Sequence, residues 1–112
     1  MILTKIEYSP AAKEDLRQIQ KIVEYNFGGT VAKEILTKLT TKVRRLEQFP
    51  LSGVQLKDAI GVGVDYRYIF VEKNYIIYRI ESESIRIVRI LNERQDYLSQ
   101  LKVLIKYNNI ED

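Results

Sequence analysis

The sequence predicts an α+β fold, in which a helical hairpin packs on an antiparallel sheet in the order β-α-α-β-β-β with a short closing helix. Two stretches in the first half repeat apolar residues at helical spacing and meet at Gly28-Gly29. Three later runs, "DYRYIFVE", "NYIIYRIE" and "SIRIVRIL", are rich in β-branched and aromatic residues and recur every nine to ten residues. Links as short as Lys73 and Ser82-Glu83 suit hairpins, so these runs form a meander. A chain of 112 residues fits one domain, 1–112, because a second would lack residues for a core.

In chain order, "ILTKIEY" (Ile2 to Tyr8) is expected to be a strand, stopped by Ser9-Pro10. Serine is a good N-cap, and proline a good first helical residue, since no partner for its missing N–H is needed there. Ala12, Leu16, Ile19, Val23 and Phe27 then mark the buried stripe of a first helix, with Glu14 and Asp15 toward the positive end of its dipole. Thr30 is the expected cap of a second helix, whose stripe is Val31, Ile35, Leu39, Val43 and Leu46 and which Pro50 ends. Residues 51–64 lack a period and hold three glycines; they are expected to form a loop with a short strand near Val54 to Leu56. Gly61-Val62-Gly63 precedes a strand rather than opening a helix, so it is no phosphate cradle.

Apolar residues of both parities occur in each β-run, so both faces of the meander are expected to be at least partly covered. The hairpin supplies one cover. A closing helix supplies part of the other, with Asn92 and Gln95 as a capping pair, Leu98, Leu101, Leu104 and Ile105 as its stripe, and 107–112 as a frayed tail.

Composition narrows the chemistry. The chain has no histidine and no cysteine, which removes Ser-His-Asp and Cys-His nucleophile systems, disulfides and the usual zinc sites. Its acidic residues are scattered, so no metal or other cofactor is expected. No apolar run approaches the roughly 20 residues needed to span a bilayer, and "MILTKIEYSP" is not a secretory leader; a cytoplasmic location without membrane partners is expected. The charge of +3 is uneven: from Lys38 to Lys106, thirteen bases against eight acids leave +5. That surplus fits a polyanion or an acidic protein partner, and equally a solvated face of ordinary ion pairs.

The segments "YSPAAKEDLRQI", "RRLEQFPLSG", "YRYIFVEKNYIIYRI" and "IRIVRILNERQDY" occur in this order and span most of the chain. Together they resemble the RelE/ParE superfamily of toxins from bacterial type II toxin–antitoxin modules, and the proline entry, the "RRLEQFP" helix end and the "VRIL…RQD" ending are closer to its ParE side. The resemblance implies a RelE/ParE-like fold and a cytoplasmic toxin neutralised by a cognate antitoxin, which touches operator DNA only through that complex. It implies either of two targets. ParE-like members poison DNA gyrase and are not nucleases, whereas RelE-like members cleave mRNA on the ribosome. A non-toxic partner in a DNA-binding repressor complex is a third reading.

RNA cleavage through the 2′-OH needs a base, cations on the phosphate and an acid at the leaving oxygen. Without histidine, the RelE-like reading uses Arg67, Arg89 and Arg94 as phosphate clamps, Lys57 or Glu47 as base, and Tyr97 to stack a nucleobase or place a proton. Acids interspersed among these bases weigh against a ribosome-facing surface. The gyrase reading asks only for contact residues; Tyr66, Tyr68, Arg86, Leu98 and Leu101 are the candidates for partner binding. Two structural alternatives stay open. Arg86 and Arg89 have opposite strand parity, so Arg89 on the helix side would pair with Glu47 or Asp96. Arg67 and Arg79 would be partners of Glu72, Glu81 or Glu83.

Overall fold

The computed structural model describes residues 5–56 and 65–94. Strand β1 (Lys5–Tyr8) leads into helices α1 (Pro10–Phe27) and α2 (Gly29–Arg44), followed by two 3₁₀ turns (Arg45–Glu47 and Pro50–Ser52). Strands β2 (Val54–Gln55), β3 (Tyr66–Val71), β4 (Asn74–Ile80) and β5 (Ser84–Asn92) complete it. The three predicted runs do form a meander, but the sheet is mixed. Its order is β1-β5-β4-β3-β2, with β1 parallel to β5 and the other neighbours antiparallel. The parallel pairing needs no hairpin, because the helices and strands β2 to β4 all lie between β1 and β5 in the chain.

Ser9 caps α1 as expected, its hydroxyl accepting the Ala12 N–H at 3.0 Å with Pro10 behind it. The expected Thr30 cap of α2 is corrected. That helix already begins at Gly29, and Gly28 serves both as the C-cap of α1 and as the N-cap of α2. Its φ of 93° lies where L side chains are strained, so glycine is required there.

The face of the sheet under the hairpin buries Ile76, Tyr78, Ile85, Ile87 and Ile90 against Ala12, Leu39, Val43 and Leu46. The opposite face buries Tyr66, Ile77, Val88 and Leu91, with Leu56, Tyr68 and Tyr75 packed beside them. Burial on both faces explains the double-parity apolar pattern. The closing helix, with Gln95, Leu98, Leu101, Leu104 and Ile105, and the tail 107–112 lie outside the described residues. Asn92 itself is the last residue of β5, and its Oδ1 accepts the Arg94 N–H at 2.9 Å, a local turn at the strand end.

A β-bulge interrupts β5. Tyr78 pairs with Ile87 but Ile77 pairs with Arg89, so Val88 is an extra residue. Arg86 and Arg89 therefore stand opposite Arg79 and Ile77, two residues of equal parity on β4. The insertion breaks the alternation on which the expectation of opposite faces was based, yet the two side chains still diverge, Arg86 toward Glu7 and Arg89 toward Asp15 of α1. The β3–β4 hairpin closes with Glu72 and Lys73 at φ of 49° and 63°, the positive-φ pair that matches the twist of a two-residue turn.

Candidate functional site

The arginines singled out from sequence are distributed over three separate arrangements. On the face away from the hairpin, the register lines up Tyr66, Arg79, Arg86 and Glu7 in one row across β3, β4, β5 and β1. Two arginines directly opposite would repel, and the neighbouring groups offset this. Arg79 is bonded to Glu81 through Nε at 2.9 Å and through a second nitrogen, and its guanidinium lies 6.0 Å from the Tyr66 ring centroid. Arg86 stands 3.9 Å from Glu7. Burial works to raise the Glu81 carboxyl. The hydrogen bonds from Arg79 and Ser84, with the charges of Arg79 and Arg86, outweigh it and hold Glu81 below the usual carboxylate range.

Arg67 sits directly opposite Tyr78 across the β3–β4 ladder, and the two fix the turn that precedes β2. Arg67 donates to the carbonyls of Leu51 (3.1 Å) and Gly53 (3.0 Å) and pairs with Asp65 at 3.0 Å. The Tyr78 hydroxyl donates to Pro50 O at 2.7 Å and accepts the Gly53 N–H at 2.9 Å. Burial pushes the Tyr78 phenol up, opposed by the Gly53 hydrogen bond and the Arg67 charge. A Cβ on Gly53 would lie 2.5 Å from that hydroxyl and 2.7 Å from Tyr68 O, so this position has no room for a side chain.

Arg89 turns to α1. Its Nε and a terminal nitrogen bind the two carboxylate oxygens of Asp15 at 2.8 and 3.0 Å, and the Ile90 N–H donates to Asp15 Oδ2 at 2.8 Å. Among the described residues the partner is therefore Asp15 and not the anticipated Glu47, while the other anticipated partner, Asp96, lies outside the described residues. Asp15, expected to serve the helix dipole, lies beyond the first turn of α1 and acts sideways, on the strand edge. Ser9 adds to the same suture: its N–H donates to Ile87 O at 2.9 Å and its hydroxyl to Val88 O at 2.8 Å.

The remaining candidates separate from these. Arg94 is exposed at one end of a groove of about 650 Å3 that runs along Ile19, Ile22, Val23 and Phe27 of α1. Asn74 also lines it, and its buried Oδ1 has no hydrogen-bond partner. Tyr66 is only 4% exposed, Tyr68 is half-buried, and Glu47 lies in the 3₁₀ turn that follows α2. Lys57, Tyr97, Leu98 and Leu101 lie outside the described residues. A second groove, of about 470 Å3, opens between the end of α2 and β3, lined by Lys42, Arg45, Leu46, Phe49 and Phe70 among others. Sequence reasoning missed it. Its signal was present in Phe49 and Phe70, large apolar residues that fit neither helical stripe nor both sheet faces. Among the described residues no cluster of three or more carboxylates could hold a metal ion, and no helix is long and apolar enough to cross a membrane.

The family model described as the ParE toxin of the type II toxin–antitoxin system parDE matches residues 6–97. The chain belongs to the ParE toxin family. The match begins in β1 and runs past β5, so the ParE family assignment takes in the hairpin and the whole meander. A chain of the chromosomal ParDE TA system from P. aeruginosa shares the fold, with a TM-score of 0.68 at 21% identity, covering 80% of this chain and 96% of that one. No curated protein matches. The ParE assignment agrees with the resemblance drawn from the four segments, and the shared α+β architecture agrees with the predicted fold class.

Proposed function

We propose that this ParE-family chain is the toxin of a type II pair, that it inhibits DNA gyrase by binding rather than cleaving RNA, and that a cognate antitoxin neutralises it. One observation carries the choice: Arg67, Arg79, Arg86 and Arg89 each face a carboxylate, namely Asp65, Glu81, Glu7 and Asp15. A phosphate clamp would have to displace these carboxylates, and a half-buried charge left behind is costly. The shifted carboxyls also move the wrong way for a base at neutral pH. Glu81 is lowered, and Glu14 is lowered chiefly by its hydrogen bond from Gln18. A gyrase-binding surface needs none of this chemistry.

The test is expression of the chain alone, with gyrase supercoiling and mRNA ends on translating ribosomes measured in parallel. Loss of supercoiling with unchanged mRNA ends is expected. Ribosome-dependent cuts with normal supercoiling would overturn the reading in favour of a RelE-like nuclease, and an inert chain in both assays would leave only the non-toxic repressor partner.

A further inference from the structure

The apolar stripe of α1 runs on past the core it serves. Ala12, Leu16 and Ile19 pack on the sheet, but Val23 is outside that cluster and Phe27 is 69% exposed. From Lys21 to Thr30 every residue except Val23 is exposed, so the tip of the helical hairpin stands clear of the strands. The groove of about 650 Å3 lies under this overhang, with Ile19, Val23 and Phe27 on its helical wall and Lys73 and Arg94, both exposed, on the strand side. The acid in the lining, Glu72, already stands 3.9 Å from Lys38. Ile22 and Tyr25, 59% and 90% exposed, extend the apolar surface beyond the groove. The end of α1 thus carries more apolar surface than its own core buries, on one projecting element.

We infer that the overhanging tip of the hairpin is the surface by which this chain holds gyrase, an inference that rests on the reading of the chain as a gyrase inhibitor. Binding energy at an interface concentrates in a few large side chains that fill pockets, tyrosine and arginine foremost. The tip offers both, Tyr25 on the helix and Arg94 across the groove, whereas Arg67, Arg79, Arg86 and Arg89 face carboxylates of their own chain. The geometry specifies what gyrase must present. An apolar protrusion enters the groove beneath Val23 and Phe27, a carboxylate beside it meets Arg94 or Lys73, and Ile22 and Tyr25 rest on the flanking surface. Charge complementarity with the strand-side wall selects against a basic protrusion.

The test uses purified gyrase and the full chain in a supercoiling assay, with affinity for gyrase measured beside it. The variant carrying Tyr25→Ser and Phe27→Ser should need at least about tenfold more protein for half-inhibition and bind correspondingly more weakly. It should melt at the wild-type temperature, because both side chains are mostly exposed. Arg94→Glu should weaken binding at least about threefold, with a smaller gap at high salt. Lys13→Glu, exposed at the other end of α1, should inhibit as the wild type does. Full inhibition by the double variant, an equal loss with Lys13→Glu, or unaltered binding by Arg94→Glu would each overturn the inference and leave the gyrase reading standing. So would a wild-type dimer that the double variant dissociates without loss of inhibition, since the tip would then receive a second copy of this chain. A wild-type chain that neither binds nor inhibits gyrase overturns the gyrase reading itself, and the docking surface with it.

Discussion

The two edges of the sheet are finished in opposite ways. Beyond the end of β1, the exposed edge of β5 is taken over by α1, with Ser9 on Ile87 and Val88 and Asp15 on Ile90 and Arg89. On the β3 side the covering strand is two residues long, and the cations Lys42 and Arg45 have no carboxylate partner among the described residues. Matched charges and satisfied backbone groups mark where the fold is held; unmatched ones mark where another molecule can gain by binding. The basic surplus of the sequence therefore divides. Most sheet arginines belong to the architecture, and the end of α2 supplies the charge still available.

The largest effect expected from breaking this contrast is at Asp15. Asp15→Ala removes the carboxylate that accepts from both the Arg89 guanidinium and the Ile90 N–H, groups largely shielded from solvent. It should cost about 3 kcal/mol in urea unfolding. Ser9→Ala removes both the α1 cap and the bond to Val88 O and should cost about 2 kcal/mol. Tyr78→Phe strips the hydroxyl shared by Pro50 O and Gly53 N–H. A loss of about 1.5 kcal/mol is expected, with faster amide exchange at Gly53.

Glu81→Gln is expected to cost less than about 1 kcal/mol, because the pair with Arg79 is partly solvated. Its pH dependence is the diagnostic feature. Folding holds the Glu81 carboxyl below its ordinary 4.5, so its contribution is complete above that value and is lost as the pH falls through the folded value. Wild type and variant should therefore differ at neutral pH and converge in acid. The smallest change should come at the open edge. Lys42→Glu with Arg45→Glu breaks no ion pair among the described residues and should shift stability by less than about 0.5 kcal/mol.

Much of the fold could be read from the sequence because its signals are local. Ser9-Pro10 announced a capped helix, Pro50 closed the helical layer, and the nine-to-ten-residue spacing gave the meander. What escaped was set by distant partners. The parallel β1–β5 pairing joins Lys5 to Ser84, strands far apart in the chain, and the Val88 bulge appears only when β5 is laid against β4. Side-chain roles were harder for the same reason. Asp15 looks like any helical carboxylate until Arg89, 74 residues later, is brought beside it. Gly28 and Thr30 show the limit of local rules, since a positive-φ glycine ended one helix and opened the next before the threonine could act.

The Ser9–Val88 bond spans 79 residues of chain, and this sets a schedule for synthesis. At about 5–20 residues per second, β1 and the start of α1 leave the ribosome's catalytic centre some 4–16 s ahead of the strand that anchors them. Until β5 arrives, no nascent chain possesses the sutured edge or the Tyr66–Glu7 row. High contact order slows folding further. A protein built this way stays incomplete until late in its own translation, and any partner made at the same time has that interval in which to meet it.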